Sequence, residues 1–297
     1  MSALEAPYTD EYAARRVRTA DGLSLHVADY APVGAETGLP VFCLHGLTRN
    51  SRDFALVAPR IAALGRRVLA WDTRGRGRSD WDAQPERYNG PIYAQDAVKV
   101  LDELGVERAV FVGTSMGGII TMILAALAPH RIGAAVLNDI GPDLDPAGIA
   151  RIAGYVGKTG PVRSWEEAAQ AIKSLNGVAF PDANDAFWLR FAENTFRRGA
   201  DGAFAPDYDP AIANAFSGEN AAAQIDMKPL FAALAAAAPV LVVRGGLSDL
   251  LSPAGVETMR ALKSDLGVVE VPRIGHAPTL EEPAAWDALI DFLARAP

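Results

Sequence analysis

Apolar positions along this chain follow two alternating patterns. One is a short, β-branched or aromatic run; the other is a longer stretch with an apolar residue every three or four positions. Arg15–Thr19 and Leu23–Tyr30 alternate in the manner of strands, and Ala20-Asp21-Gly22 supplies a tight turn between them. An antiparallel hairpin is therefore predicted, after a loose polar lead over residues 1–14. A Pro/Gly-rich loop then leads to Val41-Phe42-Cys43-Leu44, a strand of the fully buried kind, which ends at His45-Gly46-Leu47. The spacing predicts a helix from Asp53 to Leu64, a strand over Arg67–Trp71, a helix from Ile92 to Leu104 and a strand at Val110–Val112. A helix from Ile119 towards Pro129 and a strand over Gly133–Leu137 come next.

From Asp143 to about Lys228 strand signals vanish. Helical stretches take over and aromatics crowd in, among them Trp165, Phe180, Phe187, Trp188, Phe191 and Phe196. Strand-loop-helix order then resumes with Val240–Arg244, a helix over Pro253–Leu262, the strand Val268–Val271 and a last helix from Pro283 to about Ala294. Strands alternating with helices predict the α/β class, with a mostly parallel sheet covered on both faces. The expected organisation is a core from residues 1–142 and 229–297, with 143–228 as a helical insertion over it.

The candidate chemistry sits where the pivotal strand meets its helix. Gly113-Thr114-Ser115-Met116-Gly117 matches G-x-S-x-G, with Gly118 following. A serine on so tight a turn is held in strained backbone geometry with its hydroxyl exposed, and side chains at Gly113 or Gly117 would collide with the packed strand and helix. The helix start also aims free N–H groups at the same spot.

A serine hydroxyl needs a base within hydrogen-bond reach, and the base needs a carboxylate. Of the four histidines, His26 lies mid-strand and is expected at the surface, and His130 at a helix end. The chain order serine, acid, histidine selects His276, in Gly275-His276-Ala277-Pro278. Asp249, in the loop after Val240–Arg244, is the expected acid, and Asp139, after the preceding strand, is its rival. Gly46 lets the backbone approach closely, so the Leu47 N–H can join that of Met116 around a negative oxygen. His45 is expected to be a structural hydrogen-bonder. The loop from Asp72 to Ser79 fits no phosphate-binding pattern and is read as a tight turn tied by Asp72 to nearby backbone or to Arg74.

Charge narrows the partners. With 28 basic against 36 acidic residues the net charge is −8, which argues against nucleic acid or an anionic membrane. Cys43 is the single cysteine, which removes a disulfide framework and suits a reducing, cytoplasmic setting. No secretory signal pattern is visible, and the longest apolar run, Phe231–Val243, is too short to span a bilayer. The histidines show no metal-ligand spacing, so no metal and no cofactor are expected.

Taken together, His45-Gly46, Asp72-x-Arg74-Gly75-x-Gly77-x-Ser79, Gly113-x-Ser115-x-Gly117-Gly118, Asp249 and Gly275-His276 resemble the α/β-hydrolase superfamily. The resemblance implies the α/β-hydrolase fold: a mostly parallel eight-stranded sheet flanked by helices, its second strand antiparallel, with a helical cap inserted after the sixth. Within the superfamily the chain is similar to capped serine esterases and enol-lactonase-like enzymes, and serine rather than aspartate at position 115 argues against the haloalkane dehalogenase and epoxide hydrolase branches. The expected activity is hydrolysis of a largely apolar carboxylic ester or lactone. Hydrolysis of a C–C bond in a β-diketone or ring-cleavage product, cofactor-free perhydrolysis, and a non-catalytic ligand-binding role on the same scaffold are the alternatives. Arg163, Arg190, Arg197 and Arg198 are expected as surface residues, with recognition of a substrate carboxylate as the other option.

Overall fold

The computed structural model describes residues 12–199, 202–216 and 226–297. The polar lead expected over residues 1–14 lies mostly outside them, and its last residues already belong to the first strand. The main sheet is built from β1 (Ala13–Arg18), β2 (Ser24–Tyr30), β3 (Val41–Leu44), β4 (Val68–Trp71), β5 (Ala109–Thr114), β6 (Ile132–Asn138), β9 (Val240–Gly245) and β10 (Gly267–Val271). Their spatial order is β1-β2-β4-β3-β5-β6-β9-β10. Strand β2 runs antiparallel to both of its neighbours, and the pairings from β4 across to β10 are parallel.

Alternation along each strand sorts the core into two layers. Phe42 and Leu44 of β3, Phe111 of β5, Leu137 of β6 and Val242 of β9 point to the face covered by α2 (Gly90–Glu103), α3 (Met116–Leu127), α7 (Lys228–Ala237) and α8 (Pro253–Leu262). Val41, Cys43, Val110, Val112, Val136 and Val243 point to the other face, under α1 (Val57–Ala62) and α9 (Pro283–Arg295). Cys43 is fully buried there, and burial pushes its thiol pKa up. The helix starts carry their caps: the Asn89 side chain accepts from the Ile92 N–H, and Ser252 accepts from Gly255 just ahead of Pro253.

The helix expected from Asp53 to Leu64 is divided. Ser51–Phe54 forms a 3-10 turn capped by Asn50, and α1 begins only at Val57. Pro59 has no N–H to offer Ala55, so the helical ladder cannot extend back through that position.

Between β6 and β9 the chain leaves the sheet and forms α4 (Pro146–Tyr155), α5 (Trp165–Asn176) and α6 (Asp185–Thr195). A small antiparallel pair, β7 (Phe196–Arg198) with β8 (Phe204–Pro206), corrects the expectation of a strand-free insertion. Each strand is only three residues long, too short to display the two-residue alternation that marks strands. Ala168, Ile172, Phe180, Trp188, Phe196 and Phe204 give this segment an apolar cluster of its own. Ile152 of α4 and Val156 just beyond it instead join the layer on the sheet. No helix among the described residues is long and apolar enough to cross a membrane.

Candidate active site

The site forms at the carboxyl ends of β3, β5, β6 and β9, beneath the inserted segment. The tightness of the β5–α3 turn comes from its glycines. A Cβ on Gly113 would lie 2.5 Å from the Gly117 carbonyl carbon, and one on Gly117 would lie 2.2 Å from the Leu44 carbonyl oxygen. With strand and helix in such contact, Ser115 is forced to φ 51° and ψ −112°, a sparsely populated region that costs on the order of 1–3 kcal/mol. The Ser115 side chain caps nothing in α3, and its hydroxyl faces outward instead.

Ser115 Oγ lies 3.0 Å from Nε2 of His276, and His276 Nδ1 lies 2.8 Å from Oδ2 of Asp139. A hydroxyl, an imidazole and a carboxylate are thus joined in one line. The expected acid, Asp249, is not part of it. Its carboxylate turns away to a two-point contact with Arg151 of α4, at 2.5 and 2.8 Å, and that guanidinium holds its pKa below the ordinary carboxylate value.

The reason lies in the loop after β9. Asp139, at the end of β6, is wholly buried and accepts from the Gly245 N–H at 2.8 Å and from the Ser248 hydroxyl at 2.6 Å, besides His276. The β9 loop therefore delivers Ser248 to the acid and carries the next residue, Asp249, outward. Ser248, together with Asn138, is a site residue that sequence reasoning missed. The Asn138 amide donates to Thr114 Oγ1 at 3.0 Å and to the Pro278 carbonyl at 2.8 Å, tying the serine turn to the histidine loop. Asp139 itself stands at φ 56°, so both ends of the line are held in left-handed backbone.

The other predicted positions fall close by. A Cβ on Gly46 would sit 3.9 Å from Ser115 Cβ, which brings the loop containing Leu47 against the serine. Met116 is the first residue of α3, so its N–H has no partner in the helical ladder. His45 is fully buried: its Nδ1–H donates to the Gly46 carbonyl at 2.7 Å and its Nε2 accepts from the Thr73 N–H at 3.1 Å. The bond accepted at Nε2 requires the neutral ring, and burial lowers its pKa to about 4.

The unfolded chain therefore takes up a proton at His45 as pH falls from 6.5, while the folded chain does so only near 4. Acidification across that window should remove about 3 kcal/mol of stability at this residue. Urea unfolding midpoints measured from pH 7 to 4 should fall less steeply for His45→Gln than for the parent. Equal slopes would contradict the assignment of a neutral buried ring.

His26 is buried, not at the surface, and its Nδ1 lies 3.0 Å from Oδ2 of Asp72. Asp72 also accepts from the Ser51 and Arg78 N–H groups, so it ties its turn to backbone as expected but not to Arg74. Arg74 pairs instead with Asp21, Asp82 and Asp96.

A cavity of about 130 Å³ opens over Ser115 and His276. Phe180, Phe187, Phe191 and Tyr155 line it together with the polar Thr48, Asn194 and Arg190. Of the four arginines expected at the surface, Arg190 lines this cavity, 2.9 Å from Glu281, whereas Arg163, Arg197 and Arg198 are exposed elsewhere.

The sequence profile of the alpha/beta hydrolase fold family matches residues 40–283. The chain belongs to this family. Among its relatives, a 3-hydroxybutyrate-oligomer hydrolase of Cupriavidus necator is 37% identical over 249 residues, 82% of this chain and 84% of that protein. An esterase of Mycobacterium tuberculosis is 29% identical over 248 residues, 82% and 79% of the respective chains. The crystal structure of an alpha/beta hydrolase from Novosphingobium aromaticivorans superposes with a TM-score of 0.89 at 45% identity, covering 96% of this chain and 99% of that one. As an α/β-hydrolase the chain is a hydrolase by family, with the eight-stranded sheet expected of it.

Proposed function

We propose that the chain is a serine hydrolase that cleaves carboxylic esters through an acyl-enzyme on Ser115, with short hydroxyacyl oligoesters as its preferred class. The observation that carries this reading is the unbroken contact from Ser115 Oγ through His276 to Asp139. His276 Nε2 takes the serine proton as Oγ attacks the ester carbonyl, and buried Asp139 holds the Nδ1–H and stabilises the imidazolium. The Leu47 and Met116 N–H groups receive the oxyanion, a contribution of about 3–4 kcal/mol per donor. Collapse breaks the C–O bond, and His276 returns the proton to the departing alcohol. Water, deprotonated by the same imidazole, then attacks the acyl-serine and releases the acid and the free serine. No metal or cofactor enters these steps.

Two observations support the substrate class. The relative from Cupriavidus necator is named for hydroxybutyrate oligomers, and the cavity here is small with a lining of both apolar and polar side chains. A chain in which ester oxygens alternate with short alkyl branches presents both kinds of surface at close spacing.

The test is a panel of hydroxybutyrate dimer and trimer, p-nitrophenyl esters, lactones and vinylogous diketones, run beside labelling by a fluorophosphonate. Oligoester turnover with a single adduct on Ser115 is expected. Diketone cleavage without ester turnover would move the reading to C–C bond hydrolysis, and absence of both turnover and adduct would leave a ligand-binding member of the family.

A further inference from the structure

Arg76 occupies an unspecified position of the Asp72–Ser79 turn and is completely buried. Its neighbour Arg74 is enclosed by three carboxylates. Arg76 has no carboxylate oxygen within 4.0 Å among the described residues. Every group that receives its donors is neutral. Nε donates to the Leu47 carbonyl at 2.9 Å, and one terminal nitrogen donates to the Arg74 carbonyl and to the Tyr93 hydroxyl, both at 2.8 Å. The other terminal nitrogen lies 3.5 Å from the Met116 sulfur, a weak acceptor. The Tyr93 and Tyr88 rings stand 4.9 and 5.6 Å from the guanidinium carbon.

A buried cation with no carboxylate in direct contact is costly and persists only where something else requires it. Here the side chain touches both residues whose N–H groups flank Ser115. We infer that Arg76 is the positioning residue of the oxyanion site, holding Leu47 and Met116 and lending a positive charge with no directly bonded carboxylate to the oxygen that becomes negative. This rests on the hydrolase reading above. A low-dielectric surrounding is where such a charge acts most strongly. The backbone of Arg76 also bridges to Tyr208, and Gly77 N–H donates to the Asp207 carbonyl at 2.9 Å. The inserted segment thus presses on the turn that carries the guanidinium.

The experiment compares Arg76→Met and Arg76→Lys with the parent in p-nitrophenyl butyrate turnover, inhibition by a trifluoromethyl ketone and amide hydrogen exchange at residues 45–49 and 114–118. Arg76→Met should lose about 10²-fold in kcat with KM within about threefold. Its ketone affinity should fall in proportion to kcat, and exchange at Leu47 and Met116 should quicken. Arg76→Lys keeps the charge but not the fork of donors and should recover about tenfold of the lost kcat. A loss of kcat with unchanged ketone affinity would overturn the inference, as would full activity in either folded variant. If Arg76→Met does not fold, Arg76→Lys carries the same comparison. Parent activity that survives Ser115→Ala would instead refute the proposed acyl-enzyme on Ser115, and the exchange data would still report whether Arg76 holds the two N–H groups.

Discussion

Ser115→Ala should lower kcat for ester hydrolysis by about 10⁶-fold, while the unfolding midpoint in urea stays close to that of the parent. The two halves of this expectation have separate causes. In the proposed mechanism the hydroxyl is the attacking group, so without it only the oxyanion donors and substrate binding would remain, a residual rate of about 10³–10⁴ over water. For stability, the relevant fact is that, among the described residues, the Ser115 side chain caps no helix and bonds only His276. Its unusual backbone is imposed by Gly113 and Gly117 and does not depend on the hydroxyl. Alanine inherits the same strain, with no new contact and no vacated core volume. Labelling by a fluorophosphonate should disappear with activity. A variant that keeps even a few per cent of the parent rate would move the nucleophile elsewhere.

The strand-turn-helix at Ser115 could be read from sequence because its determinants are local. Two glycines, a short apolar run before them and an apolar helix after them all fall within β5 and α3. The sheet was legible for the same reason: β3, β5, β6 and β9 are buried on both faces and appear as unbroken apolar runs. Chain order pointed to His276, the histidine whose Nε2 lies 3.0 Å from Ser115 Oγ.

The carboxylate that meets His276 was not legible, because two aspartates each follow a strand that ends at the site. Which one faces His276 is decided by contacts between positions 98 to 109 apart in sequence: Gly245 and Ser248 with Asp139, and Arg151 with Asp249. Burial of His26 was hidden likewise, since its partner Asp72 comes from a different strand end. Arg190 reads as a surface helix residue until α6 is set over the cavity, with Glu281 opposite it.

The choice between the two aspartates has a large kinetic consequence. Asp139→Asn should reduce kcat by about 10⁴-fold. An asparagine oxygen can still accept from the Gly245 N–H, and asparagine tolerates the φ of 56° found at this position. The loss therefore arises at the ring. An amide NH₂ turned towards Nδ1 donates where the carboxylate accepted, so the proton moves to Nε2, the atom that must receive the proton of Ser115. Asp249→Asn meets no such requirement. Its carboxylate is engaged with Arg151 in a pair whose side chains are 36% and 21% exposed, respectively. Removing that charge should leave kcat within about threefold and cost at most about 1 kcal/mol of stability. Measured side by side on one ester, the two variants should differ by more than 10³-fold. If Asp249→Asn proves the crippled variant, the loop after β9 must turn its aspartate inward during turnover, and the Asp139 contact seen here would belong to a resting arrangement only.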